Sequence, residues 1–186
     1  MPVVERLTPE DALERVESAL GDSVVEARLN FEQVDIICEP ANLEAVVRTL
    51  RDHEGIECKF LTFLSAIDRT AFGGPDKPEK AGGIEVLCHV YAPDRALHVN
   101  VHVPLDLENP ECPTITGVFA GAEWHERETA EMFGIRFEGH PNPVKLYLPE
   151  DFEGHPLRKT FKLPSRIIKD WPGAKDPGEA AAGGRG

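Results

Sequence analysis

The chain has 186 residues, a formal net charge of −13 at pH 7 and 41% hydrophobic residues. This size and composition suit one globular domain with a buried core. The negative charge excludes a nucleic-acid-binding protein, because binding to phosphates needs clustered Lys and Arg. The longest apolar run, 60–67, is far shorter than the roughly 20 residues of a membrane-spanning helix. The polar start lacks the apolar stretch of a signal peptide, so we expect a cytoplasmic location.

The first elements in chain order are a helix, a strand hairpin and a second helix. Thr8-Pro9-Glu10-Asp11 combines an N-cap hydroxyl, a proline and two acids, which is typical of a helix start, and Gly21 ends this helix. Apolar alternation predicts strands at 24–31 and 34–38, paired as a hairpin. Residues 40–52 have the apolar period of a helix that Gly55 closes.

Three further strands follow. Residues 58–68 are apolar on both alternating faces, which predicts a central strand. The Gly- and Pro-rich loop 73–83 is expected to join two antiparallel strands. Residues 84–91 and 96–103 predict another hairpin. The expected fold is α+β, a mostly antiparallel sheet with helices packed on one face, followed by a charged helix and an extended Pro/Gly-rich C-terminal ribbon.

The charged helix is expected at 124–133. It ends where Gly134 can adopt a left-handed C-cap, with Ile135 as its hydrophobic contact. The pentapeptide Phe-Glu-Gly-His-Pro then occurs twice, at 137–141 and 152–156. Glycine permits positive φ and a residue before proline is held extended, so each copy predicts a corner followed by rigid chain. Such a segment cannot build a core of its own. We expect its order to come from a partner rather than from this domain.

The sequence divides into three parts. Residues 1–135 form the globular α+β domain, 136–161 an extended partner-binding ribbon, and 162–186 a C-terminal tail that is ordered only on a partner. The tail carries two Ile and a Trp, which a free tail would expose to water, so we predict that it docks on another protein of a larger assembly.

The cysteines and two strand histidines do not predict a metal site. The four cysteines include no Cys-x-x-Cys pair and are expected to be small buried hydrophobes; they are Cys38, Cys58, Cys88 and Cys112. His98 and His102 are about 13 Å apart along a strand, too far to share one ion, and an exposed sheet face is the preferred interpretation.

The charged helix offers carboxylates that could serve acid–base chemistry. Glu126 and Glu128 point about 200° apart on a helix, so they do not converge. Arg127 and Glu131 are four residues apart and are expected to pair. For Glu128 an interface salt bridge is preferred over catalysis. His140 and His155 are interpreted as turn residues whose rings bind nearby backbone or carboxylate groups.

The segment 124–161 contains Glu126-Arg127-Glu128, Met132-Phe133-Gly134-Ile135, Leu148-Pro149-Glu150-Asp151 and two Gly-His-Pro corners, the second followed by Leu157-Arg158-Lys159. Together these motifs resemble the 30 kDa subunit family of respiratory complex I, the proton-pumping NADH:quinone oxidoreductase. The sequence departs from the usual pattern at 129–131 and 142–145.

The resemblance implies an accessory subunit of the peripheral arm, held on the cytoplasmic side of the cell membrane through the complex. It implies no catalytic residue, metal or cofactor in this chain, with FMN and iron–sulfur clusters in partner subunits. The ribbon and tail would clamp the quinone-site subunit and neighbouring iron–sulfur subunits. The residues expected at this interface are Trp124, Glu126, Arg127, Glu128, Phe133, Gly134, Gly139, His140, Pro141, Gly154, His155, Pro156, Leu157, Arg158 and Lys159.

Two alternatives remain. One is the equivalent subunit of a membrane-bound hydrogenase or of a complex with a different electron donor. The other, more distant, is a stand-alone metal-dependent hydrolase built on His140, His155 and the helix glutamates.

Overall fold

A computed structural model describes residues 6–72 and 82–163. The helices are α1 (Pro9–Leu20), α2 (Leu43–Asp52) and α3 (Ala122–Phe133). The strands are β1 (Glu26–Asn30), β2 (Gln33–Ile37), β3 (Phe60–Asp68), β4 (Ile84–Ala92), β5 (Leu97–Leu105), β6 (Glu111–Pro113) and β7 (Arg136–Glu138). The predicted tail contacts lie outside the described residues, apart from the exposed Lys162 and Leu163.

Five strands form one mixed sheet in the order β1-β2-β5-β4-β3. All neighbours are antiparallel except β2 and β5, which are parallel. The mostly antiparallel α+β fold and both predicted hairpins are therefore confirmed. A separate two-stranded parallel ladder joins β6 to β7, so residues 136–138 pair with the body of the domain.

The core lies between one face of this sheet and the helices. Val99, Val101 and Val103 alternate into it from β5, and α2 contributes the buried Leu43, Val46, Val47 and Leu50 to the same core. The cap of α1 is also as predicted, because the Thr8 side chain accepts a hydrogen bond from the backbone N–H of Asp11. The second helix begins with a 3-10 turn at Pro40–Asn42 and is capped by His53, so Gly55 lies in the turn beyond its end.

The first hairpin is shorter than predicted. Phe31 and Glu32 have φ values of 49° and 63° and form its two-residue turn. Positive φ at both turn positions suits the twist of a hairpin. Phe31 is consequently 92% exposed instead of belonging to the strand.

The prediction of a central strand at 58–68 is wrong, because β3 lies at the edge of the sheet. A register shift between Leu61 and Phe63 turns both Phe60 and Phe63 to the outer face, where they are exposed. The inner face of β3 buries Leu64 and packs against α3. The apolar residues on both faces thus reflect outward-facing aromatic rings on an edge strand.

Candidate partner interface

Residues 139–161, here called the strap, lie along α3 and run in the same direction. The contacts follow the helix from its start to its end: His140 with Glu123, Val144 with Arg127, Leu148 with Glu131, Leu157 with Met132 and Arg158 with Phe133. The strap is therefore held on its own domain. The expectation that a partner provides the order of this segment is wrong for residues 139–161.

Glu131 is the main anchor of the strap. Its buried carboxylate accepts hydrogen bonds from three consecutive backbone N–H groups, those of Leu146, Tyr147 and Leu148, at 3.1, 2.9 and 2.6 Å. Burial alone raises the pKa of Glu131, but these three bonds and the charge of Lys145 outweigh it, so the pKa lies below its ordinary value. An ionised carboxylate is thus the form that holds the strap.

Two cations complete the attachment by binding backbone carbonyls. Lys145 Nζ donates to the carbonyl oxygens of Pro149, Glu150 and Phe152 at 2.9 to 3.1 Å, which closes a loop within the strap. Arg127 donates to the carbonyl oxygens of Val144 and Lys145 at 2.8 and 3.1 Å. The predicted Arg127–Glu131 pair does not form, because each side chain binds strap backbone instead.

The strap also caps the C-terminus of α3, where the last four carbonyls have no partner within a helix. Gly134, with φ +71°, donates its N–H to Ala130 as the predicted left-handed cap. The other three carbonyls accept from His155 Nδ1, the Leu157 N–H and Arg158 Nε; they belong to Glu131, Met132 and Phe133. The positive Arg158 also suits the negative end of the helix dipole.

The two Gly-His-Pro corners behave as predicted. Gly139 and Gly154 have φ values of +79° and +90°. His140 Nε2 contacts the carbonyl oxygen of Glu123 at 3.1 Å, and its Nδ1 accepts from the Asn142 N–H at 3.0 Å. Both histidine rings therefore bind backbone groups.

Beyond the helix, the strap reaches the end of β3. The Lys159 N–H donates to the Asp68 carboxylate at 2.8 Å, and Thr70 binds the other oxygen. Burial acts to raise the pKa of Asp68, but the hydrogen bonds from Thr70 and Lys159 outweigh it and the pKa is lowered. Asp68 is a second carboxylate anchor that the sequence did not reveal.

Glu126 cannot contact a partner directly, because it is 0% exposed. Its carboxylate accepts from the Thr114 hydroxyl at 2.5 Å and the Ile115 N–H at 2.7 Å, inside this domain. Glu126 therefore belongs to the interior of the domain and not to the surface that was predicted to contact a partner. The buried Phe133 lies inside the domain as well. Arg127, Glu128, Gly134, His140, Pro156 and Arg158 are half-buried, whereas Trp124, Gly139, Pro141, Gly154, His155, Leu157 and Lys159 are exposed.

Exposed apolar side chains occur on α3 and the strap. Trp124 is 57% exposed at the first turn of α3, and Tyr147 is 63% exposed beside the Glu131 anchor. Val144 and Leu157 are also exposed. Sequence reasoning missed Val144 and Tyr147, although apolar residues within a polar, proline-rich segment are the pattern that could have drawn attention to them.

The strand histidines lie on the outer sheet face and are half-buried. His98 Nδ1 is 3.2 Å from His89 Nε2 and its ring stacks on Tyr91, whereas His102 lies between Glu85 and Asp35. They thus face different neighbours.

All four cysteines are free and buried, as predicted. Within 6–72 and 82–163, no three His, Cys, Asp or Glu side chains are placed to hold a metal ion. In the same ranges, no helix combines the length and apolarity needed to cross a membrane.

Comparisons with known proteins agree with this architecture. The family model of the respiratory-chain NADH dehydrogenase 30 kDa subunit matches residues 36–166. An NADH-quinone oxidoreductase subunit of Mesorhizobium japonicum is 34% identical over 82% of this chain and 73% of the relative. The same subunit of Roseiflexus sp. (strain RS-1) is 34% identical over 81% of this chain and 82% of the relative.

Two solved structures share the fold. A trypsin-resistant fragment of Nqo5 superposes with a TM-score of 0.55 at 24% identity, over 70% of this chain and 98% of the fragment. A chain of an archaeal membrane-bound sulfane sulfur reductase gives a TM-score of 0.60 at 21% identity, over 83% of this chain and 85% of that chain. The family match and the two oxidoreductase relatives show that the chain belongs to the 30 kDa subunit family of the respiratory-chain NADH dehydrogenase.

Proposed function

We propose that this chain is a non-catalytic peripheral-arm subunit of a proton-pumping NADH:quinone oxidoreductase. It scaffolds the quinone-site and iron–sulfur subunits while electrons pass from NADH to quinone. FMN and the iron–sulfur clusters belong to the partner subunits, and the chain is held on the cytoplasmic side of the membrane through them.

The observation that supports this proposal is the exposed aromatic and aliphatic surface that α3 and the anchored strap form together. The side chains of this surface are exposed, namely Trp124, Val144, Tyr147 and Leu157. The backbone of the strap is nevertheless hydrogen-bonded to α3 at several points. Large aromatic side chains with fixed positions are typical of interface hot spots. Because the domain already orders the strap, docking loses little conformational entropy. A preordered strap is therefore suited to fix the relative positions of electron-carrying subunits.

The metal-hydrolase alternative is disfavoured by the direction of the two strap histidines. Their rings contact the carbonyl oxygens of Glu123 and Glu131. These helix positions are about 12 Å apart along the axis, so the two rings do not converge on one ion. The equivalent subunit of a hydrogenase, or of a complex with another electron donor, would use the same surface. The proteins that co-purify with the chain distinguish this alternative from the proposed function.

The test is affinity purification of the full tagged chain from its native membranes in mild detergent. We expect recovery of the quinone-site subunit, iron–sulfur subunits and the NADH-oxidising flavoprotein, identified by mass spectrometry. The double variant Trp124→Ser with Tyr147→Ser should lose most of this recovery. Glu128→Lys should also weaken it, because the change reverses a charge beside the same surface.

Phe31→Ser is the control, since Phe31 on the β1–β2 turn is an aromatic residue that is even more exposed than Trp124 and Tyr147. It should assemble normally. Hydrogenase subunits among the recovered proteins would show that the chain is the equivalent subunit of a membrane-bound hydrogenase instead. Recovery of the chain alone, or full assembly of the Trp124 and Tyr147 double variant, would contradict the proposed interface.

A further inference from the structure

A cavity of about 420 Å³ lies between α3 and the strap. Apolar side chains form much of its wall, namely Ala130, Ile135, Phe137, Leu148 and Phe152. Two of them, Ile135 and Phe137, belong to the buried core, so part of the wall is fixed by the packing of the domain. Val144 also lines the cavity and is 54% exposed, so the cavity opens onto the exposed apolar surface of α3 and the strap.

The charged side chains that line the cavity already bind groups of this chain. The carboxylate of Glu131 accepts from three strap N–H groups, and that of Glu126 accepts from one N–H and one hydroxyl. Arg127 and Lys145 donate to strap carbonyls. Arg136, which is largely exposed to water, pairs with a glutamate of β6. A charged occupant would have to compete with these bonds, whereas an uncharged one leaves them intact.

Two histidines of the cavity wall also bind backbone groups, His140 through both of its ring nitrogens. His155 donates from Nδ1 to the carbonyl oxygen of Glu131, because a carbonyl can only accept. Its Nε2 is therefore an acceptor in the neutral ring. A Cβ placed on Gly134, which also lines the cavity, would lie 2.6 Å from this Nε2. The acceptor thus lies at the cavity wall and suits an occupant with a hydroxyl or a ring N–H.

We propose that this cavity receives a Tyr or Trp side chain of a partner subunit. The inference rests on the proposed function, because Val144 belongs both to the cavity and to the surface assigned to the partner. An uncharged ring complements a wall whose charges are already bound, and the rings of Phe137 and Phe152 favour an aromatic neighbour. The Tyr hydroxyl or the Trp N–H donates to His155 Nε2. Because the strap is anchored before docking, binding has to order few groups.

The first test is an NMR titration of the isotopically labelled full chain with indole, the ring system of tryptophan. We expect saturable shifts in the amide signals of Ala130, Ile135, Leu148 and Phe152. Ala130→Phe places a ring in the cavity from α3 and should abolish these shifts. Ala45→Phe, the same change at an exposed position of α2, should retain them. Amide signals that do not respond to indole in the unmodified chain would overturn the proposal without reference to any variant.

The second test repeats the affinity purification with the same two variants. Ala130→Phe should lose most of the quinone-site and iron–sulfur subunits, whereas Ala45→Phe should retain them. The Ala130→Phe chain should resist urea at least as well as the unmodified chain, because its ring buries apolar surface in the cavity. Full recovery of the partner subunits with Ala130→Phe would overturn the inference and leave the proposed function intact. Recovery of no oxidoreductase subunit with the unmodified chain would contradict the proposed function itself, and this inference with it.

Discussion

Glu131 and Lys145 hold the same stretch of strap through opposite backbone groups. Glu131 accepts from the three N–H groups that directly follow Lys145, and Lys145 donates to three carbonyls further along. A segment rich in proline has few ways to pair its own backbone. Two charged side chains therefore provide the hydrogen bonds to the backbone that a strand or a helix would otherwise provide.

Replacing Glu131 by Gln should destabilise the domain by roughly 2 to 3 kcal/mol. The amide has one acceptor oxygen, and its NH₂ group would face backbone N–H donors that need an acceptor. The measurement is urea unfolding at neutral pH. Glu128→Gln is the matched control and should change the free energy of unfolding by less than about 0.5 kcal/mol. Equal values for the two variants would show that Glu131 is not an anchor.

The contribution of Glu131 should depend on pH. Its folded pKa is lowered, so the unfolded chain binds the proton first as the pH falls. The stabilisation is complete above the ordinary value of 4.5 and is lost as the pH falls through the folded pKa. The free-energy difference between the unmodified chain and Glu131→Gln should therefore be constant near neutral pH and shrink in acid. A difference that stays constant into acid would be inconsistent with an ionised anchor.

The sheet and helices could be predicted from the sequence, whereas the attachment of the strap to α3 could not. The sheet and helices follow from apolar periodicity, as the alternating valines of β5 show. The edge position of β3 was missed, because a pattern of apolar residues does not distinguish a covered face from one with exposed Phe60 and Phe63. The attachment of the strap was missed for another reason: Glu131 binds backbone 15 to 17 residues away, and no periodic pattern marks such a contact.

Lys145→Met should loosen the strap locally while leaving the domain folded. Met keeps the length of the side chain but removes the ammonium that binds three carbonyls. We expect amide exchange in 146–153 to accelerate by roughly five- to tenfold, in line with the loss of one net hydrogen bond. Hydrogen exchange with mass spectrometry measures this directly. Lys162→Met, at an exposed lysine beyond the strap, should leave these peptides unchanged.

The four cysteines should be unreactive in the folded protein. Burial raises the pKa of Cys38, Cys58 and Cys88 to about 12, and that of Cys112 also rises, so the nucleophilic thiolate is scarce. A chromogenic disulfide reagent at mildly alkaline pH should label them only at the rate of unfolding. Four rapid equivalents on addition of denaturant would be the positive control. Fast labelling of the native chain would show that a thiol is accessible.

Gly134 and His155 should be energetically coupled. A Cβ at Gly134 would lie 2.6 Å from the imidazole ring of His155, whereas a Cβ at Gly139 would lie 3.4 Å from the nearest side-chain atom, on Thr114. Both glycines have positive φ, so Gly139→Ala measures the backbone cost, about 1 to 2 kcal/mol, without the clash. Gly134→Ala should cost about 1 to 2 kcal/mol more, because the ring must move. In a double-mutant cycle with His155→Ala this extra cost should disappear, giving a coupling energy of similar size. Additive effects of the two changes, measured by urea unfolding, would mean that the ring does not pack on this cap.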